Sequence, residues 1–221
     1  MKEKIAFFDF CETLVNFQTA DAFVDFVRAE TNKKSMICLE GIQLVLKRLK
    51  LIRIIDLLTK KTMSINKRIK LYQLRGFSKE ELDRYAQKYY LQVIKPNFIN
   101  ETISLLIELR DNGWKIVLVS GGYDIYLKEF AEEFGVSQVL STKIEFKSGV
   151  CTGKMLGKDC LRYNKVEIMN KNFDSHSIIS KSFSDSITDV PFLKWTNESY
   201  VISNNKHQKW VDNYEFNEII W

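Results

Sequence analysis

The stretch Lys4-Ile5-Ala6-Phe7-Phe8-Asp9-Phe10-Cys11-Glu12-Thr13-Leu14-Val15 decides how this chain is read. Lys4–Phe10 is a short, β-favouring apolar run that carries an acid at its end, the pattern of a buried strand. Two similar runs follow far downstream. Lys115–Val119 (KIVLV) stops at Ser120-Gly121-Gly122, and Ser177–Phe183 stops at Ser184-Asp185-Ser186. Helical patterns separate them: Ile99–Asn112 closed by Gly113, Tyr123–Phe134 closed by Gly135, and Asn164–Lys171. Val136–Leu140, Lys143–Phe146 and Val150–Thr152 read as short strands, Asp189–Lys194 as the start of a short helix, and Tyr200–Ser203 as the last strand. Alternation of this kind predicts an α/β fold with a parallel, helix-covered sheet.

Between the first strand and the rest the pattern is helical. Ala20–Ala29 and Ile42–Leu58 carry it, and a capping box of Ser78 and Glu81 opens Lys79–Tyr90 before Pro96 ends it. The expected organisation is a core of residues 1–16 and 91–221 with an all-helical insertion at 17–90.

Composition bounds the function classes. The chain has 221 residues, 45% hydrophobic and 28% charged, with only 9 Gly and 2 Pro, which fits a globular protein and no low-complexity or linker-rich one. No apolar run reaches the ~18 uncharged residues of a membrane span. The start of the chain does not read as a signal peptide, and Cys11, Cys38, Cys151 and Cys160 form no Cys-x-x-Cys pair. A reducing cytoplasmic compartment is therefore expected, with neither disulfides nor a zinc site. The net charge of +5 is unevenly spread. Residues 41–75 hold ten Lys/Arg and one acid, so +9, which leaves 5 − 9 = −4 for the remainder. A basic insertion over a mildly acidic core points to a small anionic substrate rather than to nucleic acid; the apolar, basic Ile42–Leu58 is expected to pack inside the insertion, with peripheral contact with an anionic membrane surface as the alternative.

In an open parallel sheet, ligands bind beyond the carboxyl ends of the strands. Here those ends offer carboxylates (Asp9, Asp185, Asp189), a hydroxyl beside glycines (Ser120, Gly121), and Lys165 at a helix start. Carboxylates suit a hard cation such as Mg²⁺. Lysine, hydroxyl and glycine amides suit phosphate oxygens. A site with both suits phosphoryl transfer.

Four motifs then stand in order: FFDFCETLVN (7–16), VLVSGGYD (117–124), TGKMLGKDCLRYNKVEIM (152–169) and SDSITDVPFL (184–193). Together they resemble the haloacid dehalogenase superfamily, in its phosphoserine-phosphatase-like branch. The resemblance implies a Rossmann-like core with an inserted helical cap, and a Mg²⁺-dependent phosphatase acting on a small phosphomonoester; the basic, apolar Ile42–Leu58 adds the alternative of a lipid-phosphate phosphatase at a membrane surface. By the same resemblance Asp9 is the nucleophile. Asp9, the backbone carbonyl of Cys11 and Asp185 hold the metal. Ser120, the Gly121 amide and Lys165 hold the phosphoryl oxygens, Asp189 orients Lys165, and Thr13 fixes the first loop. Gln18 and Lys70 are the candidate substrate contacts on the cap side.

Five positions that depart from the family pattern carry expectations of their own. Cys11 replaces the aspartate that serves as general acid/base, so turnover is expected to be slow, or lost in favour of phosphate-ligand binding. A thiol of ordinary pKa ~8.5 is a poor base. Its alternative roles are a proton donor or a small packed residue. Glu12 stands where the family has a small residue; it is a candidate for the missing carboxylate, but its side chain is expected to point away from the site. Gln18 replaces the glutamate that reads an ammonium, while Arg162 and Ser184 replace glycines and are expected to crowd or specialise the site.

Overall fold

The computed structural model describes residues 2–31 and 65–221. Ile42–Leu58, Cys38 and most of the basic run therefore lie outside the described residues.

Strand β1 (Glu3–Phe8) enters the core after two exposed residues and is buried from Ile5 onward. It lies between β2 (Lys115–Tyr123) and β5 (Ile178–Ser184), parallel to both. The seven-stranded order is β4-β3-β2-β1-β5-β6-β7, with β3 at Gln138–Lys147, β4 at Val150–Leu156, β6 at Glu198–Ser203 and β7 at Asn217–Ile220. All neighbours are parallel except the β3–β4 hairpin at one edge. This order puts the carboxyl ends of β2, β1 and β5 side by side, which are the three apolar runs with polar ends. The α/β reading holds.

Two details differ from the sequence reading. The two short strands at 136–146 are one strand, β3, because its burial alternates only loosely and the chain does not turn between them. The sheet also does not end at Ser203. Polar and aromatic residues hid β7, which pairs along β6 from Asn217 to Ile220.

Helices α1 (Thr19–Thr31), α2 (Ile65–Tyr72) and α3 (Lys79–Tyr89) stand between β1 and α4 (Asn100–Asp111). The capping box forms as read: the Glu81 amide donates to Ser78 Oγ at 3.1 Å, and the Ser78 amide to Glu81 Oε2 at 2.8 Å. After α3 a π-helical turn (Tyr90–Ile94) and a 3₁₀ turn at Pro96 lead into the core. The inserted helices are joined to the core by aromatic packing. Phe23 of α1 and Tyr89 of α3 meet Tyr126 of α5 (Asp124–Phe134), with ring centroids 5.3–5.4 Å apart. Tyr89 and Tyr126 also reach Thr19, through its carbonyl at 2.9 Å and its hydroxyl at 2.7 Å. Among the described residues, no helix is long and apolar enough to cross a membrane.

Candidate active site

Each functional loop is held by the strand before it. The Asp9 amide continues the β1–β5 ladder by donating to the Phe183 carbonyl at 2.9 Å. The chain then wraps around the Phe10 carbonyl, which accepts from the amides of Leu14 (2.9 Å) and Val15 (3.2 Å). That wrapping forces Glu12 to φ +55°, a left-handed conformation that costs a non-glycine residue of order 1 kcal/mol. Thr13 ties the loop to β5. Its hydroxyl accepts the Asp185 amide at 3.1 Å and reaches Asp185 Oδ1 at 3.3 Å, while its carbonyl accepts Thr102 Oγ1 at 2.7 Å.

Ser120-Gly121-Gly122 makes a bulged turn near the end of β2, where the pairing with β3 shifts register between Ser120 and Tyr123. Ser120 is fully buried and its Oγ accepts the Gly122 amide at 3.1 Å. A Cβ on Gly121 would lie 2.4 Å from Leu161 Cδ2, so glycine lets the loop before α6 (Tyr163–Asn172) pack directly on the turn. That loop carries Arg162 at φ +53°, ψ −129°, a strained setting for a side chain.

Lys165 is the electrostatic centre. It is 1% exposed, with Nζ 3.1 Å from Asp9 Oδ2 and 2.5 Å from Asp189 Oδ2. Burying one cation among apolar neighbours is tolerable only with such partners. The carboxylates push the ammonium pKa well above its ordinary value, against the opposing effect of burial. Asp189 also accepts Ser184 Oγ at 2.7 Å. Ser184, where the family pattern has glycine, thus gives Asp189 a hydroxyl partner.

Asp9 is pushed up to about 6, by burial first, with Lys165 pulling the other way and Asp189 adding to the rise. Asp185 is pushed up to about 8 by burial and then by Asp9 and Glu12. The buried Asp9 and the half-buried Asp185, whose pKa the Asp9 charge raises, form a donor pair that fits a hard divalent ion. Among the described residues, no cluster of three His, Cys, Asp or Glu side chains could hold a metal. A site here has two carboxylates and would need a backbone carbonyl or water to complete it.

Cys11 sits differently. Its sulfur lies 3.1 Å from Thr19 Oγ1, and the Thr19 amide donates to it at 3.4 Å. Burial, then the Asp9 charge, pushes the thiol up to about 11 despite these hydrogen bonds. At neutral pH it is a thiol, and not a base.

One cavity of about 380 Å³ collects Asp9, Cys11, Gln18, Ser120, Gly121, Lys165, Asp185 and Asp189. Lys70 is not among its lining residues. It is buried in an ion pair with Asp25, because the face of α2 that carries it turns toward α1. The α2 cation at the cavity is Lys67, one turn earlier on the same basic helix. Glu12 also lines the cavity, contrary to expectation, because its left-handed backbone turns the side chain inward. Gln18 Nε2 donates to Glu12 Oε2 at 2.6 Å. Asp21, Asn66 and Arg162 complete the rim, and Asn66 Nδ2 donates to Asp21 Oδ2 at 3.1 Å. No motif marks the Asp21–Asn66 pair, which forms only when α1 and α2 pack together.

Fold and site together define a hydrolase of the strand-end carboxylate type on an open α/β sheet. The chain belongs to the haloacid dehalogenase-like hydrolases, whose family pattern matches residues 6–194. Within that family it is similar to phosphoserine phosphatases. It is 27% identical over 172 residues to the phosphoserine phosphatase of Methanocaldococcus jannaschii, covering 77% of this chain and 70% of that one. It is 28% identical over 116 residues to the Streptococcus thermophilus phosphoserine phosphatase, about half of each chain. The fold matches a Bordetella pertussis protein of unknown function with a TM-score of 0.77, 19% identity and 99% coverage of both chains. It also matches a phosphoserine phosphatase in its apo form with a TM-score of 0.59 at 20% identity, over 91% of this chain and 86% of that one.

Proposed function

We propose that the chain is a Mg²⁺-dependent phosphomonoester hydrolase that works through Asp9, with residues 17–90 as its cap. The observation that carries this reading is the Asp9–Lys165–Asp189 cluster, buried at the joined ends of β1, β2 and β5 and open to one cavity.

Asp9 Oδ attacks phosphorus, the bond from phosphorus to the leaving oxygen breaks, and an aspartyl-phosphate forms. Lys165, Ser120 Oγ and the Gly121 amide would face the phosphoryl oxygens, where charge gathers in the transition state. Asp189 keeps Lys165 charged and aimed. Bound by Asp9, Asp185 and the Cys11 carbonyl, Mg²⁺ would neutralise charge on those oxygens. Water then attacks phosphorus and releases Asp9. The leaving oxygen needs a proton in the first step, and the water must lose one in the second. With a pKa of about 11 Cys11 is too weak an acid to protonate the leaving oxygen readily; when that oxygen departs without its proton, Cys11 is still a thiol, no base is in place for the water, and the second step is the slow one.

The substrate is a small phosphomonoester. The neighbouring family members named above are phosphoserine phosphatases. Here the position that would read an ammonium is Gln18, which brings Glu12 to the mouth by hydrogen bond. The test is hydrolysis of phenyl phosphate with Mg²⁺. Activity that Asp9→Asn leaves untouched overturns the reading. A second reading, a phosphate-ligand binder without turnover, is favoured by the neutral thiol at Cys11. It predicts phosphate binding but no hydrolysis, and hydrolysis that appears in Cys11→Asp.

A further inference from the structure

Lys67 is the one cavity-lining side chain contributed by α2 that is both charged and buried, at 8% exposure. Its Nζ lies 2.6 Å from the Gly121 carbonyl, 2.5 Å from Asp159 Oδ1 and 3.4 Å from Thr142 Oγ1. A lysine ammonium has three N–H donors. All three have an acceptor here, none of them a substrate position, so Lys67 has no donor left for a phosphoryl oxygen.

Its three partners belong to three different parts of the core. Gly121 is in the Ser120-Gly121-Gly122 turn, Thr142 is on β3, and Asp159 stands in the loop that leads to Lys165. Asp159 is 1% exposed and is held independently: Thr142 Oγ1 donates to Oδ1 at 2.6 Å, and its carbonyl accepts Asn164 Nδ2 at 2.9 Å and the Leu161 amide at 2.9 Å. Leu161 in turn packs against Gly121. Lys67 thus closes a ring running from the glycine turn, through Asp159, to the start of α6 and back through Leu161. The Gly121–Gly122 peptide carries its carbonyl toward Lys67 and its amide toward Ser120 Oγ, so the ammonium orients the peptide that supports Ser120.

We propose that Lys67 is a positioning residue. From the inserted helices it sets the glycine turn against the Lys165 loop, so that the phosphoryl-binding site is complete only while α2 is seated on the core. This deepens the phosphatase reading and rests on it, since it gives the turn and Lys165 the same phosphoryl group to hold.

The experiment compares native protein, Lys67→Met, Lys67→Arg and the double variant Lys67→Met/Asp159→Asn, all with Mg²⁺. It reads equilibrium binding of inorganic phosphate and orthovanadate, kcat and KM for phenyl phosphate, and Tm. Lys67→Met is expected to lose about tenfold or more in phosphate affinity and to lower Tm, because Asp159 is left buried without its cation. The double variant removes that charge and is expected to recover Tm while phosphate affinity stays low. Lys67→Arg, which keeps the charge and its donors, is expected to recover part of the affinity. Native affinity in Lys67→Met overturns the proposal. So does recovery of affinity together with Tm in the double variant, which would make Lys67 merely structural. A native protein that binds phosphate without hydrolysing phenyl phosphate overturns the phosphatase reading and leaves this comparison intact. A native protein that binds neither anion overturns both.

Discussion

Asp9 and Cys11 leave the same strand two residues apart and enter opposite surroundings. Asp9 faces Lys165 at 3.1 Å, inside a cluster of buried charge. Cys11 faces Thr19, whose hydroxyl is 2.7 Å from Tyr126, in a neutral chain of hydroxyls under the inserted helices. On the proposed function, one wall of the cavity forms and holds an anionic phosphoryl group. The other, where the family carries its proton-transfer carboxylate, offers a thiol with a pKa of about 11. The lesson is that a phosphoryl-binding wall can be kept whole while the proton-transfer wall is made neutral, because the two draw on different partners.

The sharpest way to break this comparison is to remove its charged side. Asp9→Asn is expected to lower kcat for phenyl phosphate by about 10³-fold or more, as loss of a nucleophile does. Lys165→Met should follow with about 10²–10³-fold, as when a transition-state donor is lost, and should also lower Tm by leaving Asp9 and Asp189 facing each other. Restoring the neutral side acts in the other direction. Cys11→Asp is expected to raise kcat by about 10²-fold, the lower end of what a positioned acid/base supplies. An unchanged rate would mean another group already moves the proton.

Smaller effects sharpen the charged side. Asp9 and Asp185 have native pKa values raised to about 6 and about 8 from 3.8. A carboxyl with a raised native pKa binds its proton more tightly folded than unfolded. Its stabilising effect is full below pH 3.8 and is lost as pH rises through 6 and then 8. Mg²⁺ is expected to offset that loss, so a thermal melt should show a larger Mg²⁺-induced rise in Tm at pH 8.5 than at pH 5. An equal rise at both would argue against these carboxylates as the donors. The smallest effect concerns the rim. Arg162→Gly should relieve the backbone at φ +53° and stabilise the protein by about 1 kcal/mol, read by urea unfolding.

Much of this was legible in the sequence, and the reasons are local. Apolar runs that end in Asp9, Ser120 and Asp185 announce strands and their functional ends at once, because strand burial and strand termination are both written in consecutive residues. The three-strand juxtaposition follows from the parallel order. What stayed hidden depends on packing between elements or on the backbone geometry of loops, neither of which consecutive residues announce. Lys67 and Lys70 share one basic helix, and nothing in the local pattern says that Lys70 meets Asp25 while Lys67 reaches Gly121 and Asp159. Glu12 enters the cavity through a left-handed backbone, and Ser184 serves Asp189 through a hydrogen bond five residues on. His207, which has no sequence motif around it, pairs with Glu218 of β7 and with Asp212 at 3.0 Å.

The division between the two walls is tested most directly by acid-quenching the native protein during turnover of phenyl phosphate and mapping the phosphoryl group by mass spectrometry. Phenoxide is a good leaving group, so the first step proceeds without strong proton donation, and the slow second step should leave phosphate on Asp9. A phosphoryl adduct is expected on the Asp9 peptide in the native protein, and its disappearance in Cys11→Asp as the second step accelerates. Turnover with no adduct on Asp9 in either protein, and undiminished in Asp9→Asn, would contradict it.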